Sequence, residues 1–280
     1  MTGKKPIAQL LAVAGTFMAC VLSVVPILLM ISWALLPQRE VFTLTGGMDR
    51  FAAATLENFA SAIRDTSFVR RLLVSVAMAS ATSIALAALG LPAGFGSARL
   101  GTRRAGSVGF SFLGVRTLPA VAIAIPVFFL FNRSSIAPTW LSLGILHVAL
   151  LLPVYVWLSI PVFASLPDRI DDVAVTSGCS RIRFLFVTAV PVLLARLSVV
   201  HLICFVLVWN ETFFSATFQV ATVTEAIPAL ISHHGYDWGT LMALGVLVDL
   251  PAIVVVAILF RFIGRTAHDQ HRSYRPLPWN

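Results

Sequence analysis

Charge is what this 280-residue chain has least of: 11% of its residues are Asp, Glu, Lys or Arg, against 58% hydrophobic. Mean hydropathy is +0.91. A soluble domain carries roughly 25% charged residues, so the ordinary globular class is excluded. Lysine is almost missing: Lys4 and Lys5 stand beside the first apolar run, with no glycine-rich loop ahead of them. A P-loop needs a lysine after its glycines to reach phosphates, so the chain lacks the means to hydrolyse ATP by that route. Cys20, Cys179 and Cys204 lie far apart without metal-ligand spacing and read as ordinary small side chains. His233 and His234 have no matching acid or cysteine cluster, and His201 reads as a buried helix residue. No catalytic, metal or cofactor site is expected.

The chain has long apolar runs instead. Pro6 to Gln38, Leu72 to Ala98 and Ser134 to Pro167 carry no charge, and Ala105 to Asn132 carries only Arg116. Runs of about 18 or more apolar residues read as transmembrane helices. The short alternating segments of barrel strands are absent, which leaves helices as the structure that pairs its backbone within lipid. The runs predict an all-α membrane protein forming one domain over residues 1–280, with six spans. These lie near Ile7–Leu36, Leu72–Gly94, Ser107–Phe131, Leu141–Ala164, Val192–Phe218 and Trp238–Ile263. With both ends cytoplasmic, thirteen Lys and Arg fall on the inner side and six on the outer, so the net charge of +8 is a topology signal. Nucleic acid is not needed to explain it. "FMAC" faintly suggests a lipoprotein site at Cys20, but the apolar run continues to Leu36, so cleavage would fall mid-span.

One interior stretch breaks the pattern. "SLPDRIDDVAVTSGCSRIRFLFVTAVP", residues 165–191, holds three aspartates, three arginines and a glycine between two greasy runs. Pro167 suits a first helical position, and Asp168, Asp171 and Asp172 suit the positive end of a helix dipole. Ile170, Val173, Ala174 and Ser177 share a narrow face. Gly178 permits a chain reversal, Ser180 can cap a second segment, and Pro191 marks the start of the fifth span. On the predicted topology this loop is cytoplasmic. Such a helix could simply lie at the lipid interface.

The segment also resembles the cytoplasmic signature loop of binding-protein-dependent ABC importer permeases. Asp172-Val173-Ala174 stands where that family has Glu-Ala-Ala, Gly178 stands at its glycine, and Val190-Pro191 closes the motif at the family's spacing. The acid is shortened to Asp, the first Ala is Val, and Ser177 replaces the usual Asp before the glycine. The resemblance spans most of the chain. "FVRRLLVSVAMASATSIALAALGLPAGFGSARL", "RTLPAVAIAIPVFFLF", "VWNETFFSATF" and "DWGTLMALGVLVDLPAIVVVAILFRF" look like segments of the maltose-type carbohydrate branch. The tail "RTAHDQHRSYRPLPWN" lacks that family's usual Gly-rich ending. The resemblance implies a type I permease fold in the cytoplasmic membrane, taking a sugar or related polyol inward. An importer permease for glycerol phosphate or a polyamine is the alternative, and a stand-alone secondary transporter a more distant one, without visible inverted repeats.

The resemblance further implies a second permease subunit, two ATP-binding cassette subunits holding ATP and Mg, and an extracytoplasmic solute-binding protein. Residues 167–178 would sit in a groove of the ATPase and couple it to the membrane helices. Pro167, Ile170, Asp171, Asp172, Val173, Ala174, Ser177 and Gly178 are the residues involved.

Polar residues within spans are expensive and mark candidate sites. Arg116 either pairs with a neighbouring helix or snorkels to the cytoplasm, and Arg196 snorkels at the inner end of span five. Asp249 lines a pathway, pairs with Arg116 or sits in an interface. Trp209, Asn210 and Glu211 offer the ring, amide and carboxylate that bind sugars, or they face a partner permease.

Overall fold

A computed structural model describes residues 4–41, 52–65, 67–100, 107, 114, 118–134, 139–167, 170, 176, 178–228 and 237–273. In chain order the helices are α1 (Lys4–Ala34), α2 (Gln38–Val41), α3 (Glu57–Asp65), α4 (Phe68–Ala98), α5 (Ala120–Arg133) and α6 (Trp140–Ala164). After them come α7 (Arg181–Val192), α8 (Leu194–Trp209), α9 (Phe213–Thr217) and α10 (Trp238–Ser273). No strand occurs among the described residues.

Four stretches are long and apolar enough to cross a membrane: Val13–Ala34, Phe68–Ala98, Trp140–Ala164 and Trp238–Arg261. They coincide with four of the runs read from sequence. Helices α7 and α8 make a further candidate, bent by 90°. Of the predicted third span, α5 covers the second half. Ser107 and Gly114 are helical, and most of the first half, Arg116 included, lies outside the described residues.

The fifth span departs from its prediction. A single helix over Val192–Phe218 is not formed, because the chain turns at Leu193 (φ −97°, ψ 8°) and ends α8 at Trp209. Pro191 lies inside α7 instead of opening the span. Its ring removes a backbone donor, and the turn preceding it widens into a π-helical turn at Leu185–Ala189. Ser180 does cap α7, its Oγ accepting from Arg183 N at 3.3 Å.

The chain divides into two units. The first comprises residues 1–70 and 226–250. Here Asn58 of α3 ties up the end of α1: its Nδ2 donates to Ala34 O at 2.9 Å and to Leu36 O at 2.8 Å. These are carbonyls that a helix end leaves without partners. Gly239, at the start of α10, lies so near that an added Cβ would stand 2.6 Å from Asn58 Nδ2. Asn58→Ala orphans two carbonyls at a buried position, and we expect it to lower stability by about 1–3 kcal/mol. A thermal melt of the purified protein measures this.

The second unit comprises residues 71–225 and 251–280. Its core forms between α4 and α6. A Cβ at Gly90 would collide with the Tyr155 ring, and one at Gly94 with Ser159 Oγ. Gly144 faces Met78, whose Sδ would lie 3.7 Å from an added Cβ. Each pair joins positions 65 or 66 apart in sequence, so the two helices run parallel in register. Without a hydrophobic drive between helices in lipid, this contact relies on close backbone approach at small residues four apart.

Candidate functional site

Two regions of the second unit gather polar side chains. The first lies at the break after α8. Trp209 is buried, 3% exposed, and stacks on Phe205 with centroids 5.9 Å apart. Asn210 is exposed and turns its Nδ2 back to Val206 O at 2.9 Å. Glu211 is the hub. Its Oε1 accepts from Phe214 N at 2.7 Å, and its Oε2 from Ser215 N at 3.1 Å. The carboxylate thus covers the open N-terminus of α9, where free backbone donors favour negative charge.

Four further contacts fix this carboxylate and its carbonyl. Ser215 Oγ lies 3.3 Å from Oε2 and donates to Glu211 O at 3.2 Å, and His147 Nε2, from the first half of α6, approaches Oε2 at 3.4 Å. Thr224 Oγ1 donates to Glu211 O at 3.3 Å. Thr224 Oγ1 in turn pairs with Thr222 Oγ1, to which Glu225 N donates. The chain of contacts ends on α4, where Arg71 pairs with Glu225 and Ser75 Oγ accepts from Val223 N at 2.8 Å. One carboxylate therefore links α6, α9, the 222–225 loop and, through it, α4.

Asp249 belongs to the first unit and is exposed on α10. Sequence reasoning overlooked His147, Arg71 and Glu225. For His147 a signal existed: it is the one basic side chain in the uncharged run from Ser134 to Pro167. Arg71 carried none, because an arginine at a helix end reads equally well as topology.

The second region brackets residues 167–178, the segment expected from sequence to form a coupling loop. Leu166 before it and Phe184 after it belong to one apolar cluster with Phe95, Phe163, Leu185, Ala189, Leu193 and Leu197. The Phe95 ring lies 5.6 Å from that of Phe163 and 6.0 Å from that of Phe184. Arg99 covers the Phe95 ring at 5.2 Å and donates to Phe163 O, at the end of α6, at 3.4 Å. Arg196 reaches across from α8 to donate to Ser165 Oγ at 2.8 Å.

The loop therefore leaves and rejoins a common floor. Of its candidate residues, Pro167 and Ile170 are exposed, with Ile170 N donating to Pro167 O at 3.1 Å. Gly178 has φ +77°, where a Cβ is strained by its own backbone, although nothing else stands within 4 Å. Asp171, Asp172, Val173, Ala174 and Ser177 lie outside the described residues.

No family model matches the chain. It is 28% identical over 199 residues to the inner membrane ABC transporter permease protein YcjP of Escherichia coli, covering 69% of this chain and 71% of that protein. It is 25% identical over 215 residues to the trehalose/maltose transport system permease protein MalG of Thermococcus litoralis, covering 74% and 77%. It is 23% identical over 210 residues to the sulfoquinovosyl glycerol transport system permease protein SmoH of Agrobacterium fabrum, covering 74% of each chain.

Among solved structures, a chain of a bacterial ABC transporter involved in importing the acidic polysaccharide alginate superposes with TM-score 0.67. The match covers 94% of this chain and 98% of that one at 14% identity, a likeness of fold. The chain is a multi-pass inner-membrane protein that resembles, in sequence and fold, the permease proteins of ABC transporters, several of them sugar permeases.

Proposed function

We propose that this chain is one membrane-spanning subunit of an ATP-driven ABC importer, with six spans, both termini cytoplasmic and a sugar or related polyol as solute. The observation that carries the reading is the similarity to permease proteins over about three quarters of the chain, several of them named for sugar transport. Its fold likeness to a chain of an importer supports the same class. ATP hydrolysis belongs to a separate pair of cassette subunits. Solute arrives from a binding protein and passes between this chain and a second permease.

The 167–178 segment docks on the cassette, and the apolar floor of Phe95, Phe163, Leu166 and Phe184 supports both its ends. Through that floor a displacement of the loop would act on α4, α6 and α8 together. Trp209 and Glu211 then shape the wall of the pathway from beneath its surface, and Asn210 is the member of that trio exposed on it.

Uptake of labelled maltose, trehalose and glycerol into cells tests the reading, with and without a lysine-to-alanine change in the P-loop of the partner ATPase. Uptake that disappears with that change supports an ATP-driven importer. Uptake that persists would contradict it.

Gly178→Val bears on coupling alone. A β-branched residue at φ +77° strains the turn by about 1–2 kcal/mol. We expect weakened solute-stimulated ATP hydrolysis at unchanged membrane insertion. Normal stimulation in the purified complex would sink this role for the turn.

A further inference from the structure

Three polar side-chain atoms of the second unit are buried without a hydrogen-bond partner among the described residues: Thr82 Oγ1, Ser83 Oγ and His147 Nδ1. Their residues are 2%, 2% and 3% exposed. The hydroxyls are unusual within this chain. Ser23, Ser198 and Thr217 each bond back to the carbonyl four residues earlier, as helical Ser and Thr commonly do. Thr82 and Ser83, at the middle of α4, do not.

Register relates the residues that carry them. The α4–α6 pairs Met78–Gly144, Gly90–Tyr155 and Gly94–Ser159 keep a spacing of 65 or 66 residues along two parallel helices. Carried along that row, Thr82 comes level with His147. The imidazole is oriented from its far side, since Nε2 faces Glu211 Oε2 at 3.4 Å. A carboxylate only accepts, so Nε2 carries the hydrogen of that contact. In the neutral ring Nδ1 is then a bare acceptor. By that register Thr82, with Ser83 next to it in α4, stands level with His147, and each hydroxyl is able to donate and to accept.

Leaving three such atoms unmatched in an apolar layer would cost about 1–3 kcal/mol apiece. We infer that Thr82, Ser83 and His147 form a buried site for a neutral hydroxyl group, midway along α4 and held in place by Glu211. A single O–H can donate to Nδ1 while its oxygen accepts from Thr82 or Ser83. That chemistry fits a resident water or one hydroxyl of a polyol, and it offers no fixed charge for an ion. The site stands whether or not the importer reading does.

The test is the thermal midpoint of the purified full-length protein, with whatever it assembles with. Thr82→Val combined with Ser83→Ala keeps nearly all the volume and removes both hydroxyls. If the site holds a hydroxyl group, the double variant strands that group and Nδ1, and the midpoint falls by about 3 °C or more. Thr82→Ser, which keeps the hydroxyl, stays near wild type. An unchanged or raised midpoint in the double variant would show that the hydroxyls were merely unpaired and would overturn the site. Equal losses in both variants would also overturn it, since packing alone would then account for them. Added glycerol separates the sources. A larger stabilisation of wild type than of the double variant identifies a polyol hydroxyl, and equal stabilisation identifies resident water.

Discussion

Gly90→Leu and Gly94→Leu are expected to abolish assembly of the α4–α6 core. At Gly90 even a methyl group would run into the Tyr155 ring, and at Gly94 into Ser159 Oγ. Tyr155 is 1% exposed and Ser159 is fully buried, so neither has room to retreat. Overpacking of a dense interior costs about 1–3 kcal/mol when neighbours can shift, and more when a helix must be pushed away. A folded domain usually holds a margin of only about 5–15 kcal/mol. Each site alone should therefore lower the melting midpoint sharply, and the two together should prevent the helices from packing. Thermal melts of the single variants in detergent measure this. A companion change, Tyr155→Ala with Gly90→Leu, should restore part of the loss because it opens the space the leucine needs. No recovery would mean that the two positions do not meet.

The second large effect is expected at Glu211. Alanine there removes the acceptor for Phe214 N and Ser215 N, leaves Ser215 Oγ with Glu211 O alone, and leaves His147 Nε2 without its partner. Donors stranded at a partly buried position cost about 1–3 kcal/mol each, and we expect a net loss of about 3 kcal/mol. Glutamine keeps one carbonyl oxygen for the helix end and should lose about half as much. The order Glu, Gln, Ala in melting midpoint is the prediction. Equal midpoints for all three would show that α9 holds its place without this cap.

Much of the fold was open to reading from sequence, for a physical reason. Lipid requires each spanning segment to satisfy its own backbone, so long apolar runs translate almost directly into helices. Val13–Ala34, Phe68–Ala98, Trp140–Ala164 and Trp238–Arg261 follow that rule. The break of the fifth span was not legible. From Val192 to Phe218 the composition stays apolar, and the end of α8 depends on Glu211 bonding forward to Phe214 and Ser215 instead of continuing the helix. Pro191 was legible as a disturbance, but the π-helical turn lies before it, at Leu185–Ala189, and the chain turns after it, at Leu193.

The candidate site divides in the same way. Residues 167–178 have a local pattern, and the positive φ of Gly178 agrees with the turn expected there. The Glu211 network joins residues 64 apart at His147, and Arg71 and Glu225 are 154 apart. Apart from the place of His147 in an uncharged run, neither pair leaves a local trace in the sequence. Thr82, Ser83 and His147 also stand far apart in sequence, and the site inferred for them rests on the α4–α6 register.

The central claim is that this chain is one membrane half of an importer whose ATPase is a separate protein. Its most direct test is to purify the chain from its native membrane in mild detergent and identify the proteins that remain bound. Recovery of a second multi-span permease together with an ATP-binding cassette protein is the expected result. Recovery of a stable homo-oligomer free of any ATPase, and still able to transport solute when reconstituted, would contradict it.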